Sequence, residues 1–85
     1  MIIWDDDKNQ KLQNERNISF EEISEIILRK EYLDVLANPA RPEQQIFVVQ
    51  INGYTYSVPF VLDDQENIVL KTAFPSRKLH KMYQG

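Results

Sequence analysis

The chain has 85 residues, 42% hydrophobic and 27% charged, a formal net charge of −3, one histidine and no cysteine. This composition suits one small globular domain over residues 1–85 and excludes disulfide frameworks, thiolate metal sites and cysteine nucleophiles, in keeping with a reducing cytoplasm. No apolar run approaches the roughly 18 residues that span a bilayer. The acidic start after Met1-Ile2-Ile3-Trp4 is the opposite of a secretory signal, and Asp5-Asp6-Asp7 lacks the other ligands of a calcium loop. Neither a metal nor a cofactor is expected.

Ile2-Ile3-Trp4 is a short β-prone run ended by the three aspartates. Asp5 suits an N-cap, with Asp6 and Asp7 in a first turn that favours negative charge. Lys8 to Arg16 follows with helix formers and only Leu12 as an apolar anchor, and Asn17 suits a left-handed C′ position. Ser19-Phe20-Glu21-Glu22 is a capping box, with Ile18 placed to staple onto Ile23. Phe20, Ile23, Ile26 and Ile27 then mark one apolar face through to about Lys30, which predicts a helix covering one side of a sheet. Its Glu21, Glu22 and Glu25 read as solvent-facing.

Tyr32 to Ala37 predicts a short strand, and Asn38-Pro39-Ala40-Arg41-Pro42 a loop. Ile46–Ile51 and Tyr54–Val58 flank Asn52-Gly53, the preferred type I′ hairpin pair. A two-residue loop sets the register, with Ile51 opposite Tyr54, Val49 opposite Tyr56 and Phe47 opposite Val58. Phe47, Val49, Ile51, Tyr54, Tyr56, Val58 and Phe60 then share an apolar face. Ile46, Val48, Gln50, Thr55, Ser57 and Pro59 fall on a mixed one, where Pro59 implies a bulge or a locally unpaired position. Asp63 to Asn67 is a turn. Ile68, Leu70, Thr72 and Phe74 alternate with Val69, Lys71 and Ala73 as one last strand. If Ile68, Leu70 and Phe74 join the apolar face, Lys71 lies on the mixed, open one. Pro75 suits the first position of a terminal helix. Leu79, Met82 and Tyr83 would share its packed face, with Arg77 and Lys81 opposite and Lys78 and His80 between.

Charge is unevenly spread. Residues 1–70 carry six Lys/Arg against thirteen Asp/Glu, whereas residues 71–85 carry four Lys/Arg and no acid. The functional reading of this terminal cluster is a clamp for a polyanion, foremost RNA. The plainer reading is a solvated helix whose cations complement its C-terminal dipole.

The order short strand, two helices, antiparallel strands and basic tail is similar to that of small RelE-like ribonuclease toxins. More closely, the chain resembles the BrnT family of toxins from bacterial type II toxin–antitoxin pairs. The residues that carry the resemblance are Ile3-Trp4-Asp5 with Lys8 and Leu12, Arg16-Asn17-Ile18-Ser19-Phe20-Glu21-Glu22, Asn38-Pro39, the Gly53 hairpin, and Ser76-Arg77-Lys78 to Tyr83. The resemblance implies an α+β domain: a small antiparallel sheet with two N-terminal helices on one face and a short C-terminal helix. It implies metal-independent cleavage of free or ribosome-bound RNA, which inhibits translation. It also implies a cognate antitoxin, often of ribbon-helix-helix type, through which alone DNA is contacted, and no membrane partner.

Metal-free cleavage uses the 2′-hydroxyl of the substrate as nucleophile, so the protein must orient the strand, stabilise charge on the phosphate and move protons. The candidate catalytic residues are Arg77, whose planar fork matches two phosphate oxygens, Lys71 as a point charge, and His80 as acid or base. Lys78, Lys81 and Gln50 are candidates for holding the strand. Last-strand chemistry here rests on Lys71 alone, where the resembling chains are arginine-rich. Two other readings therefore stay open: a non-catalytic interaction module keeping the fold and the antitoxin surface, and an acidic adaptor unrelated to nucleic acid.

Overall fold

The computed structural model describes residues 1–84. The chain runs β1 (Ile2–Ile3), α1 (Asp6–Arg16), α2 (Phe20–Leu28), β2 (Asp34–Ala37), β3 (Gln45–Ile51), β4 (Tyr54–Leu62), β5 (Ile68–Leu70), β6 (Phe74–Pro75) and α3 (Arg77–Tyr83). The strands form one sheet in the order β1-β5-β4-β3-β2, and β6 pairs with β4 off that path. All pairs are antiparallel except β1 with β5, where Ile2 lies beside Ile68 and Ile3 beside Val69. This is the expected α+β class. No helix among the described residues is long and apolar enough to cross a membrane.

Local chemistry accounts for the helix ends. The Asp5 carboxylate accepts from the Lys8 N–H at 3.1 Å, and the Ser19 hydroxyl accepts from the Glu22 N–H at 3.1 Å, so both predicted N-caps form. Asn17 closes α1 at φ 57°, as expected for a left-handed cap. Lys30 ends α2 at the same φ without being glycine. Its N–H donates to Ile27, and the Glu31 N–H donates to Ile26, which makes a Schellman closure.

The hairpin has the expected register throughout, with Asn52 and Gly53 both at positive φ. Phe20, Ile23 and Ile27 of α2, with Leu12 and Ile18, pack on Phe47, Val49, Ile51, Val58, Phe60 and Leu70 in one core. Trp4 joins that core against Phe20, ring centroids 5.9 Å apart. Leu12 is not the only buried anchor of α1. Asn9 is buried too: its side-chain oxygen accepts from the Phe20 N–H, and its amide donates to Glu21, both at 2.8 Å. A polar helix is thus fastened to the start of α2 by one side chain that uses both its acceptor and its donor.

Five expectations need correction. The last strand is not continuous: pairing stops after Leu70 and resumes at Phe74. Ala73 is buried in the core while Phe74 is 40% exposed, so Phe74 does not lie on the covered face. Pro75 does not open the terminal helix. It belongs to β6 opposite Tyr56, and Ser76 caps α3 by accepting from the Leu79 N–H at 3.2 Å. Met82 is 60% exposed, and His80 takes its place toward the sheet. Finally, the second face of the sheet is not open. Val48, Thr55 and Ser57 are buried there, because α3 lies across it.

Pro59 stays within β4 because of where the two ladders on its far side end. β4 pairs with β6 through Tyr56 and Ser57 and with β5 from Phe60 onward. The Pro59 carbonyl accepts from the Lys71 N–H at 2.9 Å, so its missing N–H faces the gap between β5 and β6. The unpaired position expected at Pro59 is this gap.

Candidate functional site

The tail is positioned by the edge of β4. From β6 the chain passes Ser76, whose N–H donates to the Thr55 carbonyl at 3.0 Å, and turns into α3. His80 then falls over the start of β4. Its Nδ1 lies 2.9 Å from the Thr55 hydroxyl, and its ring stacks on Tyr54 at 4.2 Å with an interplanar angle of 19°. One turn further, the Tyr83 hydroxyl donates to the Asp34 carboxylate at 2.6 Å. Thr55 is on β4 and Asp34 on β2, so α3 crosses β3 between these two ties.

The Tyr83–Asp34 bond shifts both partners. Donation by the phenol, then by the Val35 N–H, holds the Asp34 carboxyl below its ordinary value against the opposing effect of desolvation. The same bond to a carboxylate raises the Tyr83 phenol. His80 is held differently. A threonine hydroxyl both donates and accepts, so it can serve either tautomer of the ring, and Nε2 has no hydrogen-bond partner among the described residues.

The other candidates separate into two groups. Arg77, Lys78 and Lys81 are exposed on α3. Lys78 lines a cavity of about 330 Å³ between α3 and the β2–β3 edge, together with Leu36, Ile46, Leu79 and Met82. Gln50 is exposed and lies directly across the ladder from Thr55, beside the His80 contact. Lys71 does not join them. Its backbone sits beside Pro59, whereas Ser76 sits beside Thr55, four residues away along β4 or about 13 Å.

Lys71 instead lines a larger cavity of about 730 Å³ between α1, the β2–β3 loop and the β5–β6 connection. Lys8, Lys11, Arg16 and Arg41 line it too, with Glu15 as its one carboxylate. The only salt bridge among the described residues is Glu25 with Arg29, so none of these five cations is held in a direct ion pair. Phe74 borders both cavities.

This second basic cluster escaped sequence reasoning, which looked for cations close together in the chain. Part of it was discoverable. Lys8, Lys11, Leu12 and Glu15 share a face by helical spacing, and Leu12 had to point inward, so its neighbours flank the core. Arg41 carried no such signal, because its loop has no period. Among protein-family models, curated proteins and solved structures, none matches the chain.

Proposed function

We propose that this protein is the toxin component of a bacterial type II toxin–antitoxin pair and cuts RNA without a metal ion, with α3 as its working face and the cytoplasm as its site of action. The observation that supports this most is the state of His80. A histidine on a short terminal helix is ordinarily solvated. This one is fixed by Thr55 and Tyr54 while Nε2 is left to act, beside the cations of α3.

The reaction needs no other reactant. The 2′-oxygen of the strand forms a bond to the adjacent phosphorus as the bond from phosphorus to the 5′-oxygen breaks. A base accepts the 2′-hydroxyl proton, and an acid returns a proton to the departing oxygen. His80 supplies the proton-transfer group, Arg77 the paired donors for charge developing on the phosphate, and Lys78, Lys81 and Gln50 contacts to the strand. Lys71 acts further along the strand. A second reading, the interaction module without cleavage, has its own support: Lys71 and Lys78 line different cavities that share Phe74, Arg77 lines neither, and the three form no single constellation.

The test is cleavage of total RNA, free and ribosome-bound, by purified protein in EDTA, with analysis of product ends. The proposal expects 2′,3′-cyclic phosphates and 5′-hydroxyls. Arg77→Lys should lose roughly 100- to 1,000-fold in rate while keeping its charge. Absence of cutting on either RNA, together with no growth arrest on expression, would leave the interaction module standing.

A further inference from the structure

From the cavity beneath α1 we infer a binding site for single-stranded nucleic acid, meeting the α3 face only at Phe74, that holds the strand by its phosphates and stacks a base on that ring. The inference rests on the RNA reading above and identifies where the strand is held.

Three observations carry it. The first is charge. A protein of net charge −3 gathers five Lys/Arg and one Glu around a single cavity, and no acidic side chain forms an ion pair with any of the five. Like charges brought together unpaired repel one another, and a polyanion relieves that repulsion while releasing its own counterions. The second is spacing. From Lys8 to Arg16, α1 rises about 12 Å, so its cations form a row rather than a point and face Arg41 and Lys71 across the cavity. A row suits consecutive phosphates of one strand better than a single anion. The third is Phe74. It is large, apolar and 40% exposed, and it stands where the two cavities meet. An aromatic face between cationic walls is a platform for an unstacked base, which a duplex does not offer. An acidic peptide would satisfy the cations but would leave this ring without a partner.

The experiment uses the full chain and a fluorescent 2′-O-methyl oligouridine of about eight nucleotides, a length typical of single-strand sites. Methylation removes the nucleophile, so binding is read without cleavage. Anisotropy is followed as salt is raised. Lys8→Gln/Lys11→Gln/Arg41→Gln should weaken binding at least tenfold and flatten the salt slope by about 2, since each single-strand phosphate contact contributes roughly 0.7. Phe74→Ala should weaken binding about tenfold or more with the slope unchanged. Arg29→Gln/Lys30→Gln, at the far end of α2, should change neither, and circular dichroism should show all variants folded. The matching oligodeoxyuridine should bind comparably if stacking and phosphates carry recognition. Equal weakening by the α2 control would reduce the effect to net charge and overturn the site. So would unchanged binding by the groove variant. Tight binding in the groove by a wild-type protein that cuts nothing would sustain the site while the cleavage reading fails.

Discussion

On one face of the sheet α2 docks through Phe20, Ile23 and Ile27, all buried in a continuous apolar core. On the other, α3 has no buried residue and is held by a histidine on a threonine, a tyrosine on an aspartate, and a ring stack. Apolar burial is non-directional and changes little with pH, so the first face supplies stability. Hydrogen bonds between side chains fix angles as well as distances and respond to protonation, so the second face supplies orientation. A protein that must aim a few polar groups at a ligand gains from that division, because the aiming face can be tuned without unfolding the domain.

The largest effect is expected from hollowing the first face. Ile23 is fully buried, and Ile23→Ala should cost about 2–5 kcal/mol in urea unfolding, enough to threaten a domain of this size. Next comes Asn9→Ala, which leaves the buried Phe20 N–H without an acceptor and should cost about 1–3 kcal/mol. If Asn9→Ala is silent, α1 is not fastened as described. Lys30→Gly should act in the opposite direction: it relieves a non-glycine residue at φ 57° and should raise stability by about 0.5–1 kcal/mol.

The smallest effect is local and depends on pH. The Asp34 carboxyl is lowered, so its contribution to holding α3 is full above the ordinary value of 3.8 and is lost as pH falls through the lowered one. The Tyr83 phenol is raised, so its contribution is full below the ordinary 10.0 and is lost as pH rises through the raised one. The tie therefore holds across the neutral range and opens at both extremes. Amide exchange corrected for intrinsic rates should show α3 loosening in acid before α2 does, and Tyr83→Phe should remove that acid step. Equal loosening of both helices would mean that the two faces are not independent.

Legibility in the sequence follows the same division. The Ser19 N-cap, the apolar period of α2 and the Asn52-Gly53 turn are local signals, and each formed as read, although Glu22 meets the Ser19 hydroxyl at 3.5 Å rather than its backbone N–H, so only half of the capping box is made. The second face was misread because its signals are not local. Ile68 to Phe74 alternates well enough for one strand, yet the gap opposite Pro59 interrupts pairing and turns Phe74 outward. Helical spacing grouped Met82 with Leu79 and Tyr83, but a partner on β4 drew His80 inward instead. Asn9 looked like one more polar residue of a polar helix, and only the approach of α2 gives its amide two partners. The groove cations come from α1, a proline-bounded loop and the β5–β6 connection, so only the fold makes them neighbours.

The most direct test of the claim that α2 stabilises while α3 and the α1 groove act is an amide NMR titration of the wild-type chain with the 2′-O-methyl oligouridine. Shifts are expected at His80 and its neighbours on α3, at Lys71 to Phe74, and along the groove side of α1. The Glu22 and Glu25 side of α2 should stay still. Shifts centred on α2, or none at any RNA concentration that stays soluble, would contradict it.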